Sequence, residues 1–157
     1  MKFSACLVQL VISFDLLAGT LNYLSAALSI TFGVIYLFKR SFLQYHQDAV
    51  RRTWYQLESG LQILILALMR AVSGGALLLG FVIITLQRQF DRSHASWIPT
   101  TILISACILS LCSLYAMWLV RSRTNGRPPA FAIIISLVLV LIAYLLNSGS
   151  VIPYSGM

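Results

Sequence analysis

Arg70 is the residue whose chemistry is hardest to explain away. It sits within an apolar run, with Leu-Ile-Leu-Ala-Leu-Met before it and Ala-Val-Ser-Gly-Gly after it. A charge deep in hydrocarbon costs about 3 kcal/mol on insertion scales, so such a residue is expected to face a bundle interior and to have a partner or a task. The chain has four acidic residues to offer, Asp15, Asp48, Glu58 and Asp91. Asp15 belongs near the far surface, about 20 Å away by helical rise. Glu58 lies at the near edge and on another face. An ion pair within the chain is therefore not expected.

Small polar residues recur at helical spacing around the same depth. Asn22, Ser25, Ser29 and Gly33 share a face of one apolar segment, and Ala106, Ser110 and Ser113 share a face of another. Ser73 and Gly74 stand beside Arg70. Counted from the segment ends, Ser29 falls level with Arg70, and Ser110 and Ser113 bracket that depth. The expectation is a narrow polar pocket of Arg70, Ser29, Ser73, Ser110 and Ser113, suited to a small anion or a lipid headgroup. A plainer alternative uses the same residues. Rows of small side chains let helices approach in lipid, and serine hydroxyls bond backbone carbonyls. Arg70 would then snorkel about 14 Å to the inner headgroups or pair with an acid on another subunit.

Little else points to chemistry. His46 and His94 fall in opposite connections, which does not suit a haem between helices, and His46 with Asp48 is too sparse for zinc. Cys107 and Cys112 sit five apart inside an apolar segment, and with Cys6 they form no C-x-x-C pair, so all three read as small apolar residues. Nucleophile-elbow, zincin and Walker patterns are missing, and so is a pair of neighbouring carboxylates. No catalytic, cofactor or metal residue is expected, and the chain is read as a non-enzyme.

Those residues must be positioned by membrane-spanning elements. The chain has 157 residues, 59% hydrophobic and 10% charged, against roughly 25% charged in ordinary soluble domains. Apolar stretches of about 17–38, 61–86, 97–120 and 130–146 each approach the 20 or so residues that a bilayer crossing requires. The fold expected is an all-α membrane protein, a single domain over 1–157, built as a four-transmembrane-helix bundle. Residues 42–58 carry Leu43, Val50, Trp54 and Leu57 as a helical stripe, which predicts an interfacial amphipathic helix between the first and second spans. Apolar sequence begins as early as Phe3, so the first helix either continues past the membrane or lays Phe3–Phe14 on its surface. A cleaved leader is the rival there, opposed by Asp15 and by the lack of a small-x-small site.

The net charge of +7 does not imply nucleic acid, because all basic residues except Arg70 lie at segment ends or between segments. Lys39, Arg40, Arg51 and Arg52 share a side with Arg121, Arg123 and Arg127, against Lys2, Arg88 and Arg92 on the other. Seven against three places both basic loops inside and both termini outside. Trp97 and Tyr144 would mark the outer interface, and Tyr36, Trp54, Tyr55 and Trp118 the inner one.

In Tyr45-His46, Trp54, the Leu-Gln-Ile-Leu-Ile-Leu-Ala-Leu-Met-Arg70 run, Gly74-Gly75 and Arg127-Pro128-Pro129, the chain resembles a loose group of small uncharacterised bacterial four-helix inner-membrane proteins. That resemblance implies a bacterial inner (cytoplasmic) membrane and brings no activity, substrate or catalytic residue. The size is also similar to small multidrug-resistance transporters, which carry a glutamate within the first span where this chain has only Asp15 near the edge. Two functions stay open: a non-enzymatic accessory or scaffold protein, partnered by membrane lipids and by another membrane protein or itself as a homo-oligomer, or a small carrier or sensor holding an anion or lipid headgroup at Arg70. The topology is checked with single cysteines at Ser41, Ser93 and Ser122 in a cysteine-free background. An impermeant thiol reagent added to intact cells is expected to label position 93 alone.

Overall fold

The computed structural model describes residues 2–41, 43–124 and 130–150. In order along the chain these form α1 (Lys2–Phe38), α2 (Gln44–Val50), a single 3-10 turn (Trp54–Gln56), α3 (Ser59–Ser93), α4 (Trp97–Arg123) and α5 (Phe131–Ser150). Four of the helices are long and apolar enough to cross a membrane. Their outward faces carry Leu24, Ile35, Leu78, Phe81, Ile108, Leu111 and Leu145, each 50% or more exposed. Apolar surface on that scale needs lipid to cover it. The chain is an all-α four-helix membrane bundle with a short helix between the first and second spans. The first segment is one unbroken helix from Lys2, and Arg127-Pro128-Pro129 lies outside the described residues.

Lipid tails are as apolar as leucine, so helices associate in a bilayer through close packing and polar contacts. The α1–α3 seam shows both. Gly19, Ala26 and Gly33 recur every seven residues on α1, facing Gln87, Gly80 and Ser73 at the same interval on antiparallel α3. A Cβ on Gly80 would stand 2.9 Å from the Ala26 carbonyl oxygen and 2.5 Å from Ile30 Cγ1, and one on Gly33 would stand 3.0 Å from the Ser73 carbonyl. Only glycine permits backbones that near, and the seven-residue repeat is the one that keeps a seam aligned along two supercoiled helices.

This seam also fixes depth. Each step along α1 is matched by a step back along α3, so with Gly33 against Ser73, Tyr36 comes level with Arg70 and Lys39 with Ala67. Arg70 is therefore level with the last turn of α1 and next to its basic end. From Arg70 to Arg88 is eighteen residues, about 27 Å of helix, close to the roughly 30 Å of a hydrocarbon core. The stretch between the two arginines is thus about one crossing long. The end of the bundle that holds the α1–α3 connection carries the excess of basic residues and is called the inner end, the opposite end the outer; at the inner end the first turns of α3, residues 59–67, project beyond α1.

The bundle is tight at its outer end and open at its inner end. On α4, Ile98, Ile102, Ala106 and Ser110 are buried at four-residue spacing, and no residue from Leu111 to Thr124 is. On α5 the buried residues are Val140, Ala143 and Asn147, again towards the outer side. The 42–58 segment is not one helix. Arg51 adopts a left-handed conformation (φ 55) that ends α2, and extended backbone carries the buried Leu57 into α3. The Gln62 side chain donates to the Trp54 carbonyl (2.8 Å) and to the Leu57 carbonyl (3.2 Å), tying that turn to α3.

Two glycines on one helix separate packing from propensity. Gly80→Ala is expected to destabilise by about 1–3 kcal/mol through overpacking. Gly74→Ala, where a Cβ meets nothing within 4 Å, is expected to be neutral or mildly stabilising. Thermal unfolding of the two purified variants in detergent makes the comparison.

Candidate functional site

The five residues singled out from sequence do not form one pocket. Ser29, Ser110 and Ser113 do converge, joined by Ser136 of α5, around a central cavity of about 50 Å³ between all four long helices. That is room for about one ordered water, whose share of the liquid is roughly 30 Å³. Arg70 is exposed and does not line it. Ser73 is fully buried, but its hydroxyl is committed locally, donating to the Arg70 carbonyl at 2.7 Å. The separation follows from the seam: Ser29 stands level with Leu77, seven residues or about 10 Å from the level of Arg70.

Arg70 belongs instead to an outward stripe of α3. Ile63, Ala67, Arg70, Gly74, Leu78 and Phe81 follow one another at three- and four-residue steps, and all six are exposed. Among the described residues no ion pair or side-chain hydrogen bond engages its guanidinium. Small residues, Ala67 and Gly74, stand one turn away on either side of it.

A polar ladder that sequence spacing did not reveal lies at the outer end of the α1–α3 seam. The Asn22 side-chain amide donates to Gln87 Oε1 at 2.8 Å, and both residues are 2% exposed or less. Gln87 Nε2 donates in turn to Asp91 Oδ1 at 2.7 Å, and the Tyr23 hydroxyl donates to Asp91 Oδ2 at 3.1 Å. The ladder thus runs from the core to an exposed carboxylate at the outer surface. Gly19 makes space for it, since a Cβ there would lie 3.3 Å from Gln87 Nε2. On the other side of α1, the Ser25 and Ser136 hydroxyls lie 2.7 Å apart and join α1 to α5. The available signal for Gln87 was its place in the series Ser73, Gly80, Gln87, which has meaning only beside Gly33, Ala26 and Gly19.

These bonds hold helices together. Among the described residues no three histidine, cysteine or acidic side chains gather as metal ligands. Cys107 and Cys112 are free thiols, and His94 caps the end of α3 with its N–H on the Phe90 carbonyl at 2.8 Å. No known family model, curated protein or solved structure is significantly similar to the chain.

The ladder makes a prediction about specificity. Gln87→Ala strands the Asn22 amide in an apolar interior, at an expected cost of about 1–3 kcal/mol. The double variant Asn22→Leu/Gln87→Leu, with no group left unsatisfied, is expected to recover a substantial part of that loss. Thermal unfolding of the two variants and wild type tests the coupling.

Proposed function

We propose that this protein is a non-enzymatic accessory or scaffold protein of a bacterial inner membrane, docking through the outward stripe of α3 to another membrane protein. The observation that carries this reading is the exposed row Ile63, Ala67, Arg70, Gly74, Leu78 and Phe81, with one guanidinium, unpaired among the described residues, between two small residues. Small residues admit a neighbouring helix closely, and an isolated charge at the membrane edge asks for an opposite one. The partner that fits is a membrane helix with a carboxylate near its inner end. Binding of that kind gains much of its selectivity from the charge pair, since apolar surface alone does not distinguish a protein from lipid.

A second reading rests on the depth of Arg70. Level with Tyr36 and one turn from the level of Lys39, it can reach headgroup phosphates, which would make the stripe a lipid contact. Photo-crosslinking residues at positions 67 and 78, in cells, distinguish the two. Docking predicts one discrete protein adduct from both positions, absent at position 108 on α4 and lost in Arg70→Glu. Its identity then supplies a carboxylate whose reversal to arginine restores the adduct. Lipid adducts alone at 67, 78 and 108 would overturn the docking reading and leave the headgroup contact.

A further inference from the structure

Beneath α2 the bundle is hollow. A second cavity, of about 240 Å³, is walled by Phe32 and Tyr36 of α1, roofed by Tyr45 and His46 of α2, and bounded by Met69 of α3 and Met117 of α4. It meets the small serine cavity at Phe32 and Ser113, which line both. Its side towards α4 is formed by the half of that helix in which nothing is buried, so it communicates with the lipid at inner-interface depth.

One polar atom in this apolar chamber is unsatisfied. Tyr36 is only 8% exposed, and its buried hydroxyl has no hydrogen-bond partner among the described residues. The Tyr45 phenol lies beside it, and burial, reinforced by that contact with Tyr36, pushes the Tyr45 pKa up and keeps the phenol protonated. His46 accepts the Leu43 N–H on Nδ1 at 3.1 Å, and burial lowers its pKa. The Phe32 and Tyr36 rings stack 4.2 Å apart at 28°, giving a flat aromatic wall, and the two methionines are adaptable, polarisable surfaces.

Buried donors without an acceptor are rare in folded proteins and mark places where something else supplies it. We propose that the cavity beneath α2 binds a membrane amphiphile that presents a carbonyl oxygen to the Tyr36 hydroxyl, its hydrocarbon tail leaving past the inner half of α4. The volume sets the shape of the ligand. At about 240 Å³ the chamber is below the 300–1,000 Å³ of a pocket that encloses a drug-sized molecule, so it takes a headgroup or ring and leaves the tail in lipid. Two sources offer that chemistry, a lipid-soluble quinone and the ester of a glycerophospholipid. This site is separate from the α3 stripe and does not depend on it.

The test uses the full-length protein in detergent, with decylubiquinone and a short-chain diacyl phosphatidylethanolamine as probes. At least one probe is expected to raise the unfolding temperature in a saturable way. Tyr36→Phe keeps the ring and removes the donor, and is expected to weaken that probe about tenfold, the usual scale for one lost hydrogen bond. Met117→Trp fills the chamber and is expected to abolish the response. Response to the quinone alone or to the phospholipid alone identifies the source. Where the quinone is the responding probe, an azidoquinone on wild-type protein adds a readout that needs no variant, with labelling expected on peptides holding Tyr36, Tyr45 or Met117. No saturable response to either probe, or responses unchanged in both variants, or azidoquinone labelling only elsewhere when the quinone responds, would overturn the proposal.

Discussion

Two polypeptide backbones can touch only where neither carries a side chain in the way, and the bundle depends on one such contact. Gly33 and Gly80 bring α1 against carbonyl oxygens of α3 and the reverse, at distances that a methyl group would forbid. Because the contact recurs every seven residues, it holds two long helices in a single register. That register decides which side chains meet: Asn22 with Gln87, Tyr23 with Asp91, and neither Ser29 nor Ser110 with Arg70. In water a hydrophobic core would supply such specificity through area. In lipid, where area distinguishes little, the fit of glycine against carbonyl and the satisfaction of buried amides take over that task.

The four crossings were legible in the sequence because each is a long apolar run, and hydropathy is a property of the run itself. The kinship of Ser29, Ser110 and Ser113 was legible too, since spacings of three and four residues place small groups on one face whatever the neighbour. The position of Arg70 was not. Segment ends put it level with Ser29, but α3 starts well inside the level at which α1 finishes, and overhang is a relation between two helices that neither sequence states. The break at Arg51 was hidden for a different reason. A left-handed residue is announced by glycine or asparagine, and an arginine there, held by its surroundings, gives no such sign.

Polarity is distributed unevenly along the bundle. In the outer half Asn22, Gln87 and Ser25 bond between helices, and there the packing is closest. In the inner half α4 stands away, and the buried Tyr36 hydroxyl has no hydrogen-bond partner among the described residues. A helix pair that is fixed at one end and free at the other concentrates its conformational freedom at the free end. The inner side, with its basic loops and aromatic roof, is where this molecule has surface to offer.

The seven-residue seam also has a genetic consequence. Deleting one residue anywhere between Gly19 and Gly33 would turn the remainder of α1 by about 100°, swinging Gly33 away from Ser73 or Gly19 away from Gln87. Substitutions along the outward faces away from the α3 stripe are cheap by comparison, because lipid accepts any apolar side chain. Those faces are therefore expected to drift in composition while the lengths between seam glycines stay fixed, in a reading frame of helical turns rather than codons.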